Sequence, residues 1–106
     1  MATGVYNRIN LAASTDTVVV SNTAIAAGKS AVITISMCNQ NETNVTVRLA
    51  ISANATPGLH EYLEFNVPLN NYGVLERTGI VMTAGLNLIA RSSAANVSVL
   101  AYGIEG

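Results

Sequence analysis

Between Ala31 and Ile51 the chain alternates apolar and polar residues over two stretches. Ile33, Ile35 and Met37 fall on one side, with Thr34, Ser36 and Cys38 on the other. After Asn39-Gln40-Asn41-Glu42 the pattern resumes with Val45, Val47, Leu49 and Ile51 against Thr46, Arg48 and Ala50. Side chains alternate across a strand, so a period of two predicts two strands, and the polar tetrapeptide predicts a long hairpin with its apolar side inward. Each of those inward side chains would contribute about 1.5–3 kcal/mol on burial, before the cost of ordering the chain, so the pair is expected to supply half of the core.

Further along, Leu63, Phe65 and Val67 are expected to face inward and Tyr62, Glu64 and Asn66 outward. Pro68 carries no ladder donor and is expected to end that strand. From Gly73 to Gly106 three apolar runs are separated by small residues at Ala84-Gly85 and from Ser92 to Ala95, the grammar of consecutive antiparallel strands. In the last run Val97, Val99 and Ala101 share one face, and Ser98, Leu100 and Tyr102 the other. Both faces are partly apolar. The strand is expected to meet the core on one side and a second subunit on the other, which makes Leu100 and Tyr102 interface candidates.

Upstream, Thr17 to Ser21 reads as a strand and Thr23 to Ala27 as a second short one, ended by a turn at Gly28. Residues 1–13 have no firm period and predict either an irregular first strand or an N-terminal arm ahead of a single domain at 14–106. About eight short strands with turn signals every 8 to 12 residues predict an all-β fold, a β-sandwich of immunoglobulin-like or jelly-roll topology.

Composition sharpens this picture in one direction. Charged residues make up 10% of the 106 positions against about 25% in an average domain, and Lys29 is the only lysine. A surface so poor in charge tolerates burial against other subunits, whose contact cores avoid Lys and Glu. The net charge of -1, with Arg8, Lys29, Arg48, Arg77 and Arg91 scattered, argues against nucleic acid, which would require about 6–10 clustered cations. There is no tryptophan, and the few aromatics are too dispersed for a base-stacking or glycan-binding platform. No apolar run approaches the length that spans a bilayer, and the N-terminus lacks a secretory pattern, so no membrane partner and synthesis in the cytosol are expected.

Candidate chemistry is sparse. His60 and Cys38 are the only residues of their kinds and together fall short of a zinc site; one aspartate, Asp16, cannot make an Asp-rich calcium loop. The Gly28-Lys29-Ser30 triplet suggests a phosphate loop, but Thr23 stands where that motif places its first glycine, and a strand pattern follows. His60 sits at a loop edge without a nucleophile elbow. Four glycosylation sequons, beginning at Asn41, Asn44, Asn54 and Asn96, have no secretory signal to support them. No catalytic, cofactor-binding or metal-binding residues are expected. Glu76, Arg77 and Arg91 lie in runs otherwise poor in charge, where an arginine fork could bind a carboxylate or carbonyls across a subunit boundary, and they join Leu100 and Tyr102 as interface candidates.

The run from Val74 to Gly85, the run from Ala90 to Val99 and the ending Tyr102-Gly103-Ile104-Glu105 resemble the C-terminal half of small tailed-phage virion proteins. The stretch from Ile25 through Ala-Gly-Lys to Cys38-Asn39 is similar to the opening of the same group. This resemblance implies a structural β-sandwich of a bacteriophage particle, foremost a capsid decoration (cement) protein. Such a protein forms trimers or dimers and binds the major capsid protein on the outside of the head; neck, tail or fibre components share the pattern.

Overall fold

The structure, a computed structural model, describes residues 3–106. It contains eight strands: β1 Gly4–Leu11, β2 Thr17–Val20, β3 Ser30–Asn39, β4 Val45–Ser52, β5 Tyr62–Leu69, β6 Val74–Thr83, β7 Asn87–Ser92 and β8 Val97–Glu105, with a single 3-10 turn at Leu59–Glu61. They form two four-stranded antiparallel sheets, here called front (order β1-β8-β3-β6) and back (order β2-β7-β4-β5). One buried cluster joins the sheets. Ile33, Ile35, Met37, Val97, Val99 and Ala101 enter it from the front, and Val45, Val47, Leu49, Leu88 and Ala90 from the back.

The alternation from Ala31 to Ile51 places its side chains as expected: six of the seven apolar positions are buried, and Ile51 packs partly against the cluster. The hairpin, however, does not form. β3 pairs with β6 and β8, while β4 pairs with β5 and β7, so the connection 40–44 crosses from one sheet to the other. A period of two fixes which way a side chain points and says nothing about the strand's partner. The crossing is held by Asn39, which is fully buried. Its Nδ2 donates to the carbonyls of Thr43 (3.0 Å), Leu69 (3.3 Å) and Asn70 (3.0 Å), and its Oδ1 accepts from the Asn41 backbone N–H (3.0 Å) and the Asn41 Nδ2 (2.9 Å). Nor do the three C-terminal strands pair with one another: β6 lies beside β3, β7 between β2 and β4, and β8 between β1 and β3. Of all consecutive strands, only β4 and β5 are neighbours.

β5 departs from its expected facing. Val47 pairs with Val67 and Leu49 with Glu64, so three residues of β5 oppose two of β4, and a second extra residue separates Glu64 from Tyr62. Each inserted residue bends the strand and re-aims its neighbours. Leu63 and Val67 remain against the core, but Phe65 is turned out to 47% exposure, beside Asn66 at φ 52°. Pro68 does not end the strand. It pairs with Thr46 on an edge strand, where a missing N–H is tolerated.

Two further expectations change. Thr23 to Ala27 is a loop closed by the Ala24 N–H to Ser21 carbonyl bond (3.0 Å) and the Lys29 N–H to Ala26 carbonyl bond (3.0 Å), with Ile25 dropped into the core. The N-terminal segment takes the form of the irregular strand: from Gly4 it is an edge of the front sheet, with one bulge at Tyr6, and Leu11 is buried. Asn7 Nδ2 donates to the Val19 carbonyl (2.9 Å), tying this edge to β2 of the other sheet. Met1 and Ala2, the start of the candidate arm, lie outside the described residues.

Candidate assembly faces

The register of the front sheet sets its outward side chains in rows. Arg8, Leu100, Ser36 and Glu76 form one row across all four strands. The next holds Val5, Tyr102 and Thr34, and the one beyond it Ile104, Val32 and Val81. Val5, Val32, Val81, Tyr102 and Ile104 are between 38% and 65% exposed, so one end of this face is a continuous apolar patch. Patches of this kind mark interaction sites. The opposite end is the small, mostly polar row Asn10, Ser98, Cys38 and Val74. A shallow depression of about 380 Å³ lies there, bordered by Arg8, Ser36, Cys38, Ser98 and Leu100.

The back sheet presents a different surface. Arg48 and Arg91 stand directly opposite each other on β4 and β7. Like charges so placed are destabilising unless each has its own partner. Arg48 Nε donates to Asn66 Oδ1 (2.7 Å), and the guanidinium lies 4.2 Å from the Phe65 ring centre; that ring meets Tyr62 edge-on at 4.9 Å. Arg91 Nη1 is 3.6 Å from Asp16 Oδ2. The bulges of β5 create this arrangement, because they bring Phe65 and Asn66 to the arginine.

Glu64 and Arg77 join the two sheets at the edge formed by β5 and β6, Nη1 to Oε1 at 2.6 Å. With side chains 22% and 40% exposed, the pair contributes less than about 1 kcal/mol. Its position matters more. Charged side chains turned inward on edge strands discourage other chains from pairing there.

Of the five interface candidates, Glu76, Leu100 and Tyr102 come together on the outer front face. Arg77 points to the β5/β6 edge and Arg91 to the back sheet, so neither joins them. Arg8, Val5, Val32, Val81 and Ile104 complete the face and were not among the candidates. The signal for them was present. Ala31-Val32-Ile33 and Ile80-Val81-Met82 are apolar on both faces, the same criterion that selected Leu100 and Tyr102.

His60 lies in the exposed 3-10 turn. Its neighbour Glu61 accepts the Gly58 backbone N–H (2.8 Å), and this bond, with the Ser52 hydroxyl second and His60 a minor influence, holds the carboxyl below the usual glutamate range. A carboxyl acidified by folding adds stability that is complete above its unfolded pKa and is lost as pH falls through the folded one. The expected result is that Glu61 titrates in NMR at lower pH than glutamate in a model peptide, and that Glu61→Gln removes this part of the acid sensitivity. Among the described residues no three His, Cys, Asp or Glu side chains gather to hold a metal ion, and no helix is long and apolar enough to cross a membrane.

No protein-family model matches the chain, and neither does any curated protein or solved structure.

Proposed function

We propose that the chain is a non-enzymatic structural protein of a tailed-phage particle, a decoration protein that binds the outside of the head shell across subunit boundaries. The observation that carries the reading is the apolar patch at one end of the front sheet's outer face, to which each of the four strands contributes an exposed side chain. A protein acting alone in water gains nothing from such a face; one that assembles does. The resemblance of the segments around Val74–Gly85 and Ala90–Val99 to phage virion proteins supplies the particle.

The finer fold reading belongs with this proposal. Strand orders β1-β8-β3-β6 and β2-β7-β4-β5 support a β-sandwich of jelly-roll type, in which eight strands form two Greek keys, an architecture used by viral capsid and lectin domains. The immunoglobulin alternative sets strands one, two, four and five in one sheet, an arrangement this order does not follow.

Decoration at many sites multiplies modest contacts into tight attachment, and the added bridges resist internal pressure without any bond being made or broken. Co-sedimentation of the purified protein with isolated head shells, and separately with tails, tests this. Saturable binding to heads at many copies is expected. Binding to tails alone moves the protein to the neck, tail or fibre, and binding to neither removes the reading.

A further inference from the structure

We propose that the outer face of the front sheet is the contact of a two-fold symmetric dimer, with a second copy of this chain as its occupant and the axis running along the strands between β8 and β3. The inference deepens the assembly reading above by naming the partner of that face, and it does not depend on which particle the protein belongs to.

A patch that packs on a copy of itself does so about a two-fold axis, and for two sheets face to face that axis lies in the plane between them. Two orientations are open, along the strands or across them, and charge separates them. Arg8 and Glu76 occupy the two ends of one row, on the edge strands β1 and β6. An axis along the strands keeps each row level and exchanges its ends. Arg8 then stands over Glu76 of the second copy, twice by symmetry, while the apolar rows of Tyr102, Ile104, Val32 and Val81 meet their own equivalents. An axis across the strands keeps β1 over β1 and β6 over β6. No cation then meets a carboxylate, and the apolar end is laid over the polar depression beside Ser98.

The area is sufficient. Four strands about 4.8 Å apart and about eight residues long at roughly 3.3 Å each give a face of about 500 Å² per copy before corrugation is counted. Two copies together therefore reach the ~1,000 Å² that a biological contact needs, and corrugation adds to it.

The test is sedimentation velocity on the purified full chain over a range of concentrations. A dimer at twice the chain mass is expected, and a monomer throughout overturns the proposal. Ile104→Glu, at an exposed position, should convert the dimer to a monomer that keeps its β circular dichroism and dispersed amide spectrum; a dimer that survives this change is made elsewhere. Arg8→Glu and Glu76→Arg should each weaken dimerisation about tenfold, since each turns two rim attractions into repulsions, and the double variant should restore it. Charge swaps that fail to compensate refute the along-strand axis. Cys38, on β3 beside that axis, gives an independent reading. The two thiols should be joined by a bifunctional maleimide matching the ~10 Å between packed sheets, and unlinked dimers count against the geometry. Head-shell sedimentation keeps the two readings apart: a dimer that ignores head shells leaves this inference standing without the decoration role, and a monomer that binds them does the reverse.

Discussion

Gly103→Ala is expected to destabilise the protein by about 3 kcal/mol, read as a fall in the urea midpoint with unchanged slope. A Cβ built on Gly103 overlaps the Val32 carbonyl oxygen and comes within 3.0 Å of the Ile33 Cα. Those are backbone atoms of β3, the strand paired with β8 on one side and β6 on the other, so the obstacle cannot swing away as a side chain would. Gly79 provides the control. It sits at φ 71° in the bulge of β6 with open space around the same construction, and Gly79→Ala should cost only about 1 kcal/mol from backbone strain. Equal losses at the two positions would show that β8 does not pass so close to β3.

Asn39→Ala should cost a similar amount, about 3 kcal/mol. The side chain makes five hydrogen bonds, and its partners belong to two different connections, 40–44 and the turn after β5. Each bond is worth about 1 kcal/mol net, and a carbonyl left unpaired in the interior costs about 1–3 kcal/mol. The bond to Leu69 is the buried one; the Thr43 and Asn70 carbonyls retain some access to water, which keeps the total below a simple sum. Asn39→Asp should not rescue the loss. It matches asparagine in shape but presents an acceptor to three carbonyls. Chemical denaturation of the alanine and aspartate variants side by side checks both statements; an aspartate variant as stable as the wild type would mean that Nδ2 is not the donor holding these loops.

What the sequence disclosed follows from what local chemistry can encode. The inward side chains of β3, β4 and β8 were legible because alternation is a property of a few neighbouring residues. The partner of each strand was not, since Ile33 would be equally content beside β4 or β8 once its side chain is buried. Asn39 carried that information in a residue that also reads as the first of an ordinary polar turn. Phe65 misled because a bulge leaves little trace in the pattern; its one local sign is Asn66, a residue that accepts positive φ more readily than most. On the outer front face, two-sided apolar runs pointed to Leu100 and Tyr102 and could have pointed to Val32 and Val81 equally. The union of Arg8 with Glu76 in one row could not be read, because it depends on β8 lying between strands that are far apart in the chain.

That position of β8 also orders events in time. The last of the eight described strands is an interior strand of the front sheet, flanked by β1 and β3. Until it is synthesised and released, β1 has no neighbour in its own sheet, and one side of β3 offers a row of unsatisfied donors and acceptors. β1 must therefore wait until every strand between it and β8 has been made, and the front sheet closes as one long-range event. During that interval, incomplete chains at high local concentration, as on a polysome, present two edges of the correct register to the β8 of a neighbour. Strand exchange between copies is the misassembly this topology invites.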